Sequence, residues 1–275
     1  MTMGEKPHLY LVDGSAYIFR AYHRLPPLTD PEGTPVGAVY GYTTMLWKLA
    51  DDLHKADGPT HLAVILDKSS HSFRNEIYDQ YKANRPPPPE DLVPQFPLIV
   101  DATRAFSLPC IEEPDVEADD MIASYARAAQ KQGWHVTIVS SDKDLMQLVG
   151  ESTKLYNVFK PKVDLVIQGL EEVEEKFGTT PDHVIDVLAI MGDSSDNIPG
   201  VKGIGEKGAT KLIQEFGSVE GLLERGRRVE LELRVLLEEL GHLLGGELRH
   251  LVAARAVAVE DAEERLLELG ARLLA

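Results

Sequence analysis

One short pattern occurs three times along this chain: a run of apolar and β-branched residues followed closely by aspartate. His8-Leu9-Tyr10-Leu11-Val12 leads to Asp13, and Thr60-His61-Leu62-Ala63-Val64-Ile65-Leu66 leads to Asp67. His135-Val136-Thr137-Ile138-Val139-Ser140 leads to Asp142 and Asp144. Such runs mark strands buried on both faces, the environment of a parallel sheet covered by helices. Helical periodicity fills the intervals, over 37–53 (Val39, Tyr42, Leu46, Leu49, Leu53), over 90–106, and from Glu117 to about Gln132, where Gly133 ends it. The alternation predicts an α/β domain with a mainly parallel sheet flanked by helices. Strands of such a sheet end on one edge, so the aspartates are predicted to meet there.

Val116-Glu117-Ala118-Asp119-Asp120 adds acids at the opening turn of a predicted helix. Alone, acids on a first turn complement the helix dipole and supply caps. Joined to Asp13, Asp67, Asp142 and Asp144, and to the later Asp193 and Asp196, they form a set whose mutual repulsion needs cations to offset it. Hard oxygen donors without His or Cys point to Mg²⁺ or Mn²⁺ rather than zinc. Two such ions roughly 3.5–4 Å apart can clamp a scissile phosphodiester without a Ser or Cys nucleophile.

The formal net charge of −17 counts against a nucleic-acid partner unless bound cations neutralise part of it. Residues 68–85 reverse the sign locally: Lys68, His71, Arg74, Lys82 and Arg85 alternate with Phe73, Tyr78 and Tyr81, before Pro86-Pro87-Pro88-Pro89. This stretch is predicted to arch over the acids, with cations for phosphates and rings for bases. Further on, Gly200-Val201-Lys202-Gly203-Ile204-Gly205 precedes a helix predicted over 206–216. Its backbone N–H groups, with Lys202, Lys207 and Lys211, suit a clamp on a DNA backbone that reads no sequence. Strands are also predicted at 108–111 and, as an edge hairpin, at 154–159 with 165–167; a short helix is predicted at 145–149 and another from Thr180 through Met191.

Cys110 is the single cysteine, read as a small buried hydrophobe. No apolar run reaches membrane-spanning length, and the first residues carry mixed charge where a signal peptide needs an apolar segment, so a cytoplasmic protein is expected. From Gly226 to Ala275 the alphabet loses Lys, Pro, Ser, Thr, Asn, Gln and every aromatic residue, and leucine spacing predicts amphipathic helices. A reading-frame change in a GC-rich gene would leave a restricted alphabet of this kind, although the missing Pro and Gln count against it.

In order, Leu11-Val12-Asp13-Gly14-Ser15-Ala16-Tyr17, Phe73-Arg74, Tyr81-Lys82-Ala83-Asn84-Arg85-Pro86, Val116-Glu117-Ala118-Asp119-Asp120, Ser141-Asp142-Lys143-Asp144 and Met191-Gly192-Asp193-Ser194-Ser195-Asp196-Asn197-Ile198-Pro199-Gly200-Val201 resemble the 5′-nuclease domain of bacterial DNA polymerase I. That domain sits with the flap endonucleases and PIN-like nucleases. The resemblance covers about residues 7–225 and implies a PIN-like catalytic domain over 7–178, a helix–hairpin–helix DNA-binding region over 179–225, and an atypical helical segment over 226–275. It implies a 5′→3′ exonuclease and flap endonuclease that removes RNA primers and displaced 5′ ends in replication and repair. The expected substrate is DNA with a 5′ flap, nick or free 5′ end. The enzyme would be a monomer near the bacterial nucleoid, either free-standing or joined to a polymerase.

By motif position, Asp13, Asp67, Glu117 and Asp119 resemble a first metal site with Asp120 beside it. Asp142, Asp144 and Asp196 resemble a second that shares Asp119, with Asp193 acting through water. Lys82, Arg85 and Arg74 match arch residues that engage the substrate phosphate, with Tyr81 among them; Phe19, next to Arg20, matches an aromatic that stacks on a base near the cut. The hairpin over 200–205 matches the family's DNA clamp, often with a K⁺ ion. Two other readings compete: a PIN-like RNA endonuclease, and a DNA-junction binder without catalysis.

Overall fold

The computed structural model describes residues 6–55, 59–157 and 166–229. A six-stranded sheet has the order β3-β2-β1-β4-β5-β6, from β1 (His8–Asp13), β2 (His61–Ile65), β3 (Cys110–Ile111), β4 (His135–Val139), β5 (Thr153–Asn157) and β6 (Val166–Gln168). All neighbours pair in parallel except β6, which runs antiparallel to β5 as the edge hairpin predicted. Residues 158–165 of that hairpin lie outside the described residues.

Strand residues alternate between two cores because successive side chains leave a strand on opposite faces. Leu11, Ile65, Val136 and Ile138 point to one face, covered by α5 (Ala118–Lys131). Val12, Val64 and Val139 point to the other, covered by α1 (Gly14–Arg24), α2 (Gly37–Lys55) and α4 (Gln95–Ala105). Each large side chain so buried contributes roughly 1.5–3 kcal/mol relative to exposure. Cys110, expected to be a small buried hydrophobe, is only partly buried and packs against this second core.

Three boundaries differ from the sequence reading. The helix expected over 90–106 begins only at Gln95, since Pro94 at the N-cap and the prolines at 86–89 hold the preceding residues in turns. The segment after Gly14, for which the sequence reading assigned no element, is the helix α1, capped by Asp13. The single helix expected from Thr180 opens as a 3₁₀ turn, Pro181–His183, before α7 (Val184–Met191).

The basic stretch contains one short helix, α3 (Arg74–Ile77). After the sheet come α6 (Leu170–Phe177), α7 and α8 (Glu206–Phe216), the last with the bounds expected. Residues 219–229 are helical, and the rest of the restricted-alphabet tail, 230–275, lies outside the described residues. Val184, Val187, Ile190, Ala209 and Ile213 share one core with Leu11, Ile138 and α5, so the hairpin between α7 and α8 is tied to the sheet by packing. No helix among the described residues is long and apolar enough to cross a membrane.

Candidate metal centre and nucleic-acid interface

The order of the strands reverses between β1 and β4, and open α/β sheets bind ligands outside the C-terminal strand ends at such a point. Asp13 ends β1 there. Its Oδ1 accepts the Ala16 N–H at 3.0 Å, capping α1, and its Oδ2 accepts the Ser140 hydroxyl at 2.7 Å from the end of β4. The same Ser140 oxygen accepts the Asp142 N–H at 3.0 Å, and Asp142 Oδ1 accepts the Asp144 N–H at 2.9 Å. Across β2, Asp67 Oδ1 accepts the Ala118 N–H at 2.7 Å, which joins it to the start of α5.

Asp119, on the first turn of α5, faces this group. Burial, and then the charges of Asp13, Asp142 and Asp67, push its carboxyl up to about 8 against the pull of Lys82. Burial likewise lifts Asp13 to about 6 despite its two hydrogen bonds, with Asp67 and Asp142 adding to the rise. Asp144 also reaches about 6, through burial and then Asp142. These carboxylates are therefore crowded enough to resist ionising together.

The other acids are held by cations. Glu117 occupies the N-cap position of α5 without capping it; its Oε2 accepts Lys82 Nζ at 2.5 Å and the Tyr81 hydroxyl at 3.1 Å, and its Oε1 accepts the buried Ser72 hydroxyl at 2.9 Å. Asp120 is clamped by both terminal nitrogens of Arg74, at 2.6 and 2.7 Å. Asp196 accepts Arg85 at 2.5 Å and Tyr81 at 3.0 Å. Burial beside Glu117 and Asp196 raises the Tyr81 phenol, which stays protonated and donates to both. Lys143 binds Asp193 at 2.9 Å; burial alone would raise Asp193, but this bond and the Ser195 N–H hold it below the usual carboxylate range.

The stretch 72–85 is stitched onto the 193–197 loop. Asn84 donates to the Ser194 carbonyl at 2.8 Å, Arg85 Nε to the Ser195 carbonyl at 3.1 Å, the Lys82 N–H to the Asp196 carbonyl at 2.9 Å and Asn197 to the Gln80 carbonyl at 2.7 Å. Lys82 and Asn197 both adopt left-handed backbone, φ 53° and 59°, a conformation that costs on the order of 1 kcal/mol and persists only where contacts enforce it.

Among the described residues, no group of three or more His, Cys, Asp or Glu side chains stands assembled as a metal cage. The basic side chains hold several of the acids instead. The donor set nevertheless fits hard divalent cations: it is all oxygen, it is destabilised by its own charge, and Asp144 Oδ1 is buried without any hydrogen-bond partner. Ser140, Ser72, Ser15, which accepts the Asp67 N–H at 3.0 Å, and Lys143 were not singled out from the sequence. Only the serine that closes the third apolar run hinted at the role of Ser140.

The remaining candidates lie on α1 and on the hairpin that directly follows the Asp193–Ile198 loop. Phe19 and Arg20 are on α1, with Phe19 43% exposed. In the hairpin, the Val201 N–H binds the Ile190 carbonyl at 2.8 Å and the Ile204 N–H the Val201 carbonyl at 3.0 Å, while Lys202, Lys207 and Lys211 are exposed. Gly205 caps α8 through backbone alone, leaving no side chain between the helix start and solvent.

Comparison with known proteins agrees with this arrangement. A family profile described as "5′-3′ exonuclease, N-terminal resolvase-like domain" matches residues 8–178, and one described as "5′-3′ exonuclease, C-terminal SAM fold" matches 179–253. DNA polymerase I of Rhizobium leguminosarum is 53% identical over 232 residues, 83% of this chain and 22% of the relative, so the chain spans under a quarter of that protein's length. A 5′-3′ exonuclease of Aquifex aeolicus is 38% identical over 224 residues, 82% of this chain and 75% of the relative. A T5 protein co-crystallised with metal ions superposes with TM-score 0.62 at 26% identity, covering 79% of this chain and 78% of that one. The bacteriophage T5 flap endonuclease in a complex with DNA and metal ions, at 24% identity and TM-score 0.67, covers 97% of this chain and 88% of that one and shares the fold. Both parts of the family's architecture are thus matched in order, and the chain belongs to the 5′-3′ exonuclease family.

Proposed function

We propose that the chain is a structure-specific 5′ nuclease that hydrolyses DNA phosphodiesters as a 5′→3′ exonuclease and flap endonuclease. The observation that carries this reading is the crowding of Asp13, Asp67, Asp119 and Asp142 at the sheet's switch point beneath a cationic stretch. Divalent cations held there, Mg²⁺ or Mn²⁺, would neutralise the carboxylates, polarise the phosphodiester and acidify the attacking water. Asp13, Asp67, Glu117 and Asp119 are the residues to hold the first, with Asp120 beside them. Asp142, Asp144 and Asp196 would hold the second, with Asp119 shared and Asp193 acting through water; the unpartnered Asp144 oxygen supports that role.

The chain's own groups account for the rest of the task. Lys82, Arg85 and Arg74 exchange their carboxylate partners for oxygens of the substrate phosphate, and Tyr81, 4.9 Å beneath the Lys82 ammonium, orients it. Phe19 offers an exposed ring to a base near the cut, with Arg20 beside it. Backbone N–H groups of 200–205, with Lys202, Lys207 and Lys211, hold the duplex by its phosphates, and a K⁺ ion at this hairpin would be shared with the DNA backbone. The polymerase I relatives support a place in primer removal and repair, with RNA-primed 5′ ends among the substrates, beside a polymerase in the bacterial cytoplasm. One copy of the chain carries every group named.

The test is cleavage of end-labelled 5′-flap and nicked DNA in Mg²⁺ and in EDTA, beside a linear RNA of equal length. Cleavage at the flap junction only with Mg²⁺ is the expected result; preference for the RNA, or undiminished cleavage in EDTA, would overturn the reading.

A further inference from the structure

Helix α6 ends on a seam with α8. The Thr210 hydroxyl donates to the Phe177 carbonyl at 3.1 Å, and Gln214 Nε2 donates to the Gly178 carbonyl at 2.7 Å. Gly178 closes α6 at φ +64°, where a Cβ would lie 2.5 Å from Thr210 Cγ2. Phe177 is buried in the core that also holds Val184, Ala209 and Ile213. The end of α6 is therefore fixed against the helix that follows the hairpin.

Lys176 stands on this fixed end with an exposed side chain. It is near enough to Lys143, to Asp142 and Asp144 of the acid cluster, and to Glu206, the first residue of α8, to feel their charges. Arg74, Lys82, Arg85 and Lys143 each hold a carboxylate, whereas Lys176 has no ion-pair partner among the described residues. A duplex held at both the acid cluster and the hairpin has to cross this seam. There its phosphates would meet Asp142, Asp144 and Glu206, and a cation that no carboxylate holds, resting only over the Phe177 ring at 5.4 Å, is what makes the crossing favourable.

We infer that Lys176 takes a backbone phosphate of the substrate duplex between the cleavage site and the hairpin, and so sets the register between them. The inference rests on the nuclease reading above. The contact is to phosphate, so it carries no sequence preference. Because α6 is fastened to α8, it also fixes how many base pairs separate the cut from the clamp.

The test compares wild type, Lys176→Gln and Lys176→Arg on a 5′-flap DNA labelled with a fluorophore. Binding is followed by anisotropy in Ca²⁺ over a range of NaCl, and cleavage in Mg²⁺. For Lys176→Gln, the slope of log affinity against log salt becomes shallower by about 0.9, the loss of one phosphate contact. Its KM rises several-fold with a smaller change in kcat, and Lys176→Arg recovers most of the loss. An unchanged slope, a fall confined to kcat, or equal damage in both variants overturns the inference while leaving the nuclease reading intact. A wild-type chain that neither binds nor cuts the flap overturns that reading, and this inference with it.

Discussion

The Lys82 ammonium lies 2.5 Å from Glu117 Oε2, so a cation of the basic stretch occupies a carboxylate assigned to the metal site. Both side chains are largely shielded from water, where exchanging one partner for another matters more than at an open surface. A divalent ion that binds Glu117 has to share it with Lys82 or displace it. Displacement would free the ammonium for the substrate phosphate. Lys82→Met removes that competitor and should tighten Ca²⁺ or Mg²⁺ binding, measured by calorimetry without DNA, by roughly tenfold. Flap cleavage should fall about 100-fold because the phosphate loses its partner. Unchanged or weaker metal binding would count against the competition.

Asp119 is the most strained carboxylate of the cluster, facing Asp13, Asp142 and Asp67 from a buried position. Asp119→Asn keeps the shape and removes the charge. In EDTA at pH 8 the variant should melt several degrees above wild type, while its Mg²⁺-dependent cleavage falls by at least about 1000-fold and flap binding in Ca²⁺ weakens far less. Asp142→Ala should likewise abolish cleavage. Retained cleavage by both would remove the two-ion assignment.

The same raised acids give a pH dependence of stability. Folding lifts Asp119 from 3.8 to about 8, and Asp13 and Asp144 from 3.8 to about 6. Raised acids favour the folded state while protonated, so their contribution is complete below about pH 4 and is lost as pH rises through 6 and then 8. Asp193 acts in the opposite sense, but its lowered value places its effect below this window. Metal-free protein should therefore melt at a higher temperature at pH 5 than at pH 8.5, by calorimetry in EDTA. Added Mg²⁺ should raise the melting temperature most at the alkaline end. A melting temperature that rises from pH 5 to 8.5 in EDTA would contradict the crowding.

Asp13, Asp67, Asp142 and Asp144 were legible because each follows a strand of mostly apolar and β-branched residues, and a parallel sheet brings such ends to one edge. The capping role was not. Glu117-x-Asp119-Asp120 has the pattern of a helix cap, yet Glu117 makes no cap bond, and the acid that caps a helix is Asp13, at the end of a strand. Nor could the sequence show that Arg85 reaches Asp196, or Arg74 reaches Asp120, because those pairings depend on how a loop-rich stretch folds over residues distant in the chain. Pro94 marks where α4 starts, a signal that the expected helix over 90–106 did not use.

The hairpin can be separated from the metal centre by a backbone clash. Gly200 packs so closely on the end of α7 that a Cβ would lie 2.0 Å from the Met191 carbonyl oxygen, and Gly192 opposite it already adopts φ +74°. Neither neighbour is a flexible side chain that could move aside. Gly200→Ala should therefore shift the hairpin and lower stability, on the order of 2 kcal/mol by chemical denaturation. Asp13, Asp67, Asp119, Asp142 and Asp144 belong to the sheet's strand ends and α5 and should keep their arrangement, whereas Asp193 and Asp196 sit on the loop that Gly192 and Gly200 close and would shift with it. Cleavage should therefore fall on every duplex, but less for a flap on a duplex too short to reach the hairpin than for one on a long duplex. Glycine at 203, φ +87° with nothing within 4 Å of its Cβ, provides the contrast: Gly203→Asn, a residue that tolerates left-handed backbone, should be milder in both measurements. Equal losses on short and long duplexes for Gly200→Ala would mean that the hairpin and the metal centre do not act on separate parts of the DNA.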